Sequence, residues 1–95
     1  MANWKKQREI ALSATAEQLI KCDTGENEYG YHISEINGVN IAWRYHKQTA
    51  SNAYDVCYGS NEASATHIII EDIPNFEAYN ACESTAEFES RIVEL

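Results

Sequence analysis

The chain has 95 residues, enough for one domain with one core and too few for two. Hydrophobic residues make up 44% and charged residues 23%, a soluble globular composition that excludes disordered, collagen-like and low-complexity classes. Fifteen acids against seven bases give a net charge of −8, and a body this acidic repels nucleic acid phosphates and anionic lipid, which excludes direct binding to either.

Trp4 to Cys22 lacks Gly and Pro, is rich in Ala, Glu, Gln, Lys and Leu, and follows Asn3 as an N-cap, so one amphipathic helix is predicted there. Trp4, Ala11, Leu12, Thr15, Leu19 and Cys22 share its broad apolar side, opposite Lys6, Glu17 and Lys21. Asp23, Thr24 and Gly25 are expected to end it, with Gly25 as the C-terminal cap.

Glu28 to Lys47 is aromatic and β-branched on either side of Asn37 and Gly38, the strongest short-range signal for a hairpin with a type I′ turn. A two-residue loop sets Ile36 opposite Val39, Ser34 opposite Ile41, His32 opposite Trp43 and Gly30 opposite Tyr45, on the more apolar face. The other face pairs Glu35 with Asn40, Ile33 with Ala42, Tyr31 with Arg44 and Tyr29 with His46. That surface is expected to be wet, with Arg44 stacked across the strands on Tyr31.

After a polar loop at Gln48 to Asn52, the alternation of Tyr54, Val56 and Tyr58 predicts a strand over Ala53 to Tyr58. His67 to Ile70 is a β-branched run that predicts a fourth. Pro74 suits the first position of a helix carrying Phe76, Tyr79 and Cys82, and Ser84 with Glu87 forms a capping box for a second helix through Leu95. The expected fold is therefore α+β: a single domain over residues 1–95, with an N-terminal helix, an antiparallel sheet of three or four strands around a central hairpin, and C-terminal helices.

Few residues have the spacing that chemistry needs. The histidines and cysteines are scattered, and His32 and His46 fall on opposite faces of the hairpin, so no metal site is expected. Cys57 with His67 lacks any sign of an oxyanion hole. Glu71 and Asp72 are adjacent, so they point to opposite faces and make a poor acid–base dyad, while Asp72 suits the start of the following helix. Phosphate-binding glycine loops, H-E-x-x-H and EF-hand patterns are absent from the sequence. Neither a cofactor nor an enzyme activity is expected. The three cysteines, Cys22, Cys57 and Cys82, are odd in number and without a C-x-x-C pair, so all are expected as free thiols, with Cys57 shielded in its strand. Apolar runs reach only three residues, as at Ile68 to Ile70, and the N-terminus has no apolar signal segment, so neither membrane insertion nor export is expected and the location is read as cytoplasmic.

The distribution of charge is more informative than its total. Residues 1–50 hold six acids and six bases, whereas residues 51–95 hold nine acids and a single base, Arg91. On the expected last helix Glu83, Glu87 and Glu94 cluster within about 40° of one another, and Phe88, Ile92 and Leu95 lie on a different side. Ridge members four residues apart stand about 6 Å apart along the axis, comparable with the spacing of phosphates along a strand.

In size, charge and element order, with the Asn37 and Gly38 hairpin and the acids Glu83, Glu87, Glu89 and Glu94, the chain resembles phage anti-CRISPR proteins, some of which mimic nucleic acid. Bacterial nuclease-immunity proteins are similar in size and charge. The resemblance implies an inhibitor that covers the groove of a basic, nucleic acid binding protein with carboxylates, in the cytoplasm of the host cell. The alternative is a structural or oligomerisation module, a homo-oligomer included, that makes contact through the Tyr29, Tyr31, Arg44 and His46 face.

Overall fold

A computed structural model describes residues 4–28, 30–71 and 90–95. Two short helices come first, α1 (Trp4–Ser13) and α2 (Ala16–Lys21). The single helix expected over Trp4 to Cys22 is split because Thr15 takes extended backbone, φ −91° and ψ 161°, and its hydroxyl accepts the Gln18 N–H at 3.1 Å. Threonine offers the backbone this alternative to a continuous helix. The break leaves Leu12 52% exposed while Ala11, Ala14 and Leu19 are buried, so the expected apolar side is only partly used.

The strands are β1 (Asp23–Glu26), β2 (His32–Ile36), β3 (Val39–Ala50), β4 (Ala53–Val56), β5 (His67–Glu71) and β6 (Ser90–Glu94), with a 3₁₀ segment, Gly59–Ser64, before β5. Among the described residues these six strands form one antiparallel sheet in the order β1-β2-β3-β5-β6, with β4 also paired to β3. The class is α+β, as expected, but the sheet is larger than three or four strands. Trp43 pairs with His32 and Ile70, and His46 pairs with Val56 and His67. Strands β2 and β4 therefore follow one another along the same edge of β3, and β5 takes the opposite edge.

The hairpin has the expected register from Ile36↔Val39 to His32↔Trp43. Asn37 and Gly38 have φ of 52° and 83°, the two positive values that a type I′ turn demands. The expected loop at Gln48 to Asn52 is instead the end of β3 and a tight turn at Ser51 and Asn52, where Asn52 has φ 62°, a conformation asparagine tolerates better than most residues.

One face of the sheet presents Ile36, Val39, Ile41, Trp43, Ile68 and Ile70 to Ala11, Ala14 and Leu19, and these residues form the buried cluster. At its centre Trp43 Nε1 donates to Ser34 Oγ at 2.8 Å, and Ser34 Oγ donates to the Leu19 carbonyl. That chain of bonds satisfies the polar atoms of three buried residues and ties β3 to β2 and to α2.

The C-terminal helices need correction where the structure speaks. The helix beginning at Pro74, with Asp72 and Cys82, and most of the second helix lie outside the described residues. Its last turns are not helical: Ser90–Glu94 is β6, paired with β5 through Ile68↔Val93 and Ile69↔Ile92. Arg91, Ile92 and Val93 fit either period over so short a stretch. The isoleucine strand β5 would otherwise present a flat apolar edge, and pairing with β6 covers it. Among the described residues, none of the helices is long and apolar enough to cross a membrane.

Candidate functional site

Two side-chain clusters stand out, one on each face of the sheet. The first is centred on His32, which pairs with Trp43 on the core face. Its ring stacks on Trp43, with centroids 4.5 Å apart and planes 16° from parallel, and meets the edge of Tyr45 at 5.3 Å. Nδ1 lies 2.9 Å from Asp23 Oδ2, and Nε2 lies 3.1 Å from Glu62 Oε2. A carboxylate thus faces each nitrogen of one buried imidazole.

Local backbone chemistry puts the acids there. Between the pairs Asp23↔Ser34 and Glu26↔His32 strand β1 advances three residues while β2 advances two, which is a β-bulge. Gly25, at φ 125°, and its N–H bond to Asp23 Oδ1 at 2.8 Å occupy the extra position. Side chains alternate along a regular strand, so Asp23 and Glu26 would point to opposite faces; the bulge restores Glu26 to the face of Asp23 and His32. Glu62 comes from the 3₁₀ segment, which packs against β3. One ligand atom each from Glu26, His32 and Glu62 lies within 4.8 Å of the others.

The electrostatics follow from this crowding. Burial opposes the charged imidazolium of His32, but the hydrogen bonds to Asp23 and Glu62 and the charges of both outweigh it, so its pKa is raised above the usual 6.5. Burial, followed by the fields of Glu62 and Asp23, raises the Tyr45 phenol above its usual 10.

The second cluster lies on the opposite face. The Arg44 guanidinium carbon sits 4.3 Å from the centre of the Tyr31 ring, Arg44 Nη2 donates to Glu71 Oε2 at 2.8 Å, and the Tyr31 hydroxyl donates to Glu71 Oε1 at 3.3 Å. The stacking of Arg44 on Tyr31 expected from the register is present, and Glu71 clamps both. This face is drier than expected: Tyr31 and Arg44 are half-buried, and Ala42 and His46 are buried. Both ring nitrogens of His46 are buried without a hydrogen-bond partner among the described residues, and burial together with the nearby Arg44 charge lowers its pKa.

A consequence for pH dependence can be measured. The folded pKa of His46 lies below its usual value, whereas in the unfolded chain it takes a proton below about pH 6.5. The resulting penalty is absent above about 6.5, grows as the pH falls below it, and is complete below the folded pKa. Replacing His46 with Phe should stabilise the protein by about 1–3 kcal/mol, since it removes two unsatisfied buried nitrogens. Urea unfolding should show a larger gain at pH 5 than at pH 8, and an equal gain at both would count against a lowered folded pKa for His46. His32, with its raised pKa, has the opposite sign: its stabilisation is full below about 6.5 and is lost as the pH rises through its folded pKa.

Glu83, Glu87 and Glu89, with Tyr29, lie outside the described residues, and Glu94 stands exposed on β6 opposite His67 rather than on a helix. Cys57 is buried at 7% exposure, just past the end of β4, and Cys22 is half-buried; both are free thiols. The His32 cluster had no signal in the spacing of its members, although Gly25 after Asp23 was a sign of a bulge or turn. No protein-family model, curated protein or solved structure matches the chain.

Proposed function

We propose that the protein is a small acidic interaction protein that inhibits a basic, nucleic acid binding partner by covering its groove with carboxylates, as an anti-CRISPR or nuclease-immunity protein would. The observation that supports this most directly concerns Arg91, the one base in residues 51–95. Its guanidinium Nη1 donates to the carbonyls of Ala11 and Ala14, at 2.9 and 2.7 Å. It serves the end of α1, and no other base stands in residues 51–95 beside their nine acids. Of those acids, Glu71 is engaged by Arg44 and Glu62 by His32, while Asp55 and Glu94 are exposed. An acidic surface accelerates encounter with a basic groove and makes the complex sensitive to salt.

The test is affinity capture from a bacterial lysate at low and high salt, with duplex DNA as competitor. A nucleic acid binding protein should be retained at low salt, released at high salt as screening shortens the reach of the charges, and displaced by the duplex. Replacing Glu83, Glu87 and Glu94 together with Gln should weaken capture at least tenfold. Capture that resists salt and the triple change, but is lost with Tyr31→Ala or Arg44→Ala, would overturn mimicry and favour the hairpin face as an interface, where aromatic and Arg side chains dominate binding.

A further inference from the structure

We propose that Glu26, His32 and Glu62 bind a divalent transition-metal cation, with Zn²⁺ the best fit, and that Asp23 orients the imidazole from behind. One nitrogen and two carboxylate oxygens converge within 4.8 Å. Ligands on a four-coordinate ion with bonds of about 2.1 Å stand roughly 3.4 Å apart. Closing that gap takes about 1.4 Å at most, within the reach of side-chain rotation by Glu26, which is exposed, and Glu62, which is half-exposed.

The imidazole is already arranged as a ligand. Nδ1 faces Asp23 Oδ2 at 2.9 Å, the carboxylate–histidine pairing that holds a metal-binding ring in one tautomer and raises its basicity. Nε2 then points at the Glu62 oxygen 3.1 Å away, where a cation would replace the bridging proton and release it to solvent. Stacking on Trp43 and the edge contact with Tyr45 fix the plane of the ring. The acids arrive from two distant stretches of chain, and Glu26 reaches this face only through the bulge at Gly25. Three carboxylates around one imidazole leave a net negative site even when that imidazole is protonated, so exchanging a proton for a dication improves the local charge balance. A mixed nitrogen and oxygen set without thiolate favours Zn²⁺, Co²⁺ or Mn²⁺ over Cu⁺, and water completes the coordination. The site is independent of the inhibitory function proposed above and could exist in a protein with any partner.

The test uses the full chain, stripped with chelator and titrated with ZnCl₂ by calorimetry and with CoCl₂ by absorbance. In a Trp4→Phe background Trp43 fluorescence adds a local readout, since Co²⁺ bound to the ring stacked on it should quench it. The expected result is one ion per chain, with affinity lowered at least tenfold by Glu26→Gln and by Glu62→Gln, and about 10- to 100-fold by Asp23→Asn. Cys22→Ser should leave binding unchanged. His32→Gln should abolish binding, and because His32 packs in the core, the two Glu variants decide the matter if that protein does not fold. Failure to bind Zn²⁺ below millimolar concentration, binding that survives both Glu changes, or a Co²⁺ spectrum with thiolate charge-transfer bands would overturn the proposal.

Discussion

Replacing Trp43 with Ala is expected to remove about 3–5 kcal/mol of stability, the usual cost of deleting a fully buried large aromatic residue. Trp43 is 0% exposed, and its ring contacts both His32 and Tyr45. It also donates to Ser34, which holds α2 through the Leu19 carbonyl. A chain of this length has a total stability of about 5–15 kcal/mol, so the substitution uses up a large share of it. The melting temperature followed by circular dichroism should fall by on the order of 20 °C. Trp43→Phe keeps a ring against His32 but loses the N–H donor, and should cost about 1–2 kcal/mol. A fall under about 5 °C for the Ala variant, near 1 kcal/mol for a domain of this size, would mean that Trp43 does not organise the core.

The second large effect is expected at Arg91. It pairs with Ile70 across β5 and β6, on the face that carries the core, and its guanidinium crosses to the carbonyls at the end of α1. Charged hydrogen bonds contribute about 1.5–3 kcal/mol each when shielded from water. Arg91 is half-buried, so Arg91→Met, which keeps the aliphatic stem, should cost about 2–4 kcal/mol for the pair. Hydrogen exchange should quicken first in α1, whose carbonyls lose their donor. If mimicry is the function, the folded fraction of this variant should bind its partner at least as well as the wild type, because the net charge becomes more negative. Unchanged exchange in α1 would show that Arg91 is not its cap.

The hairpin was legible because its determinants are local. Asn37 and Gly38 can adopt two positive φ angles at low cost, and once a two-residue turn is made the alternation of side chains places His32 with Trp43 and Tyr31 with Arg44. The strand at His67 was legible for a similar reason, as a run of β-branched residues. The break at Thr15 was harder, because a capping hydroxyl competes with a continuous helix only when packing of Ala14 and Leu19 rewards the bend. The last strand was misread as helix, since Arg91, Ile92 and Val93 satisfy either period over five residues and the pairing with β5 settled which one formed.

The metal-ligand cluster marks the boundary between the two kinds of information. Sequence alone determined the acidic charge, the concentration of acids beyond residue 50, the hairpin register and the separation of His32 from His46 on opposite faces, because composition and short-range sterics suffice for these. Tertiary structure alone decided that Asp23 and Glu26 share a face, through the bulge at Gly25, and that Glu62, 30 residues from His32, comes within hydrogen-bond reach of its ring. It also decided that Arg91 serves a helix end 77 and 80 residues away. Such contacts depend on which surfaces are buried together, and burial is a property of the assembled core that no window of sequence contains.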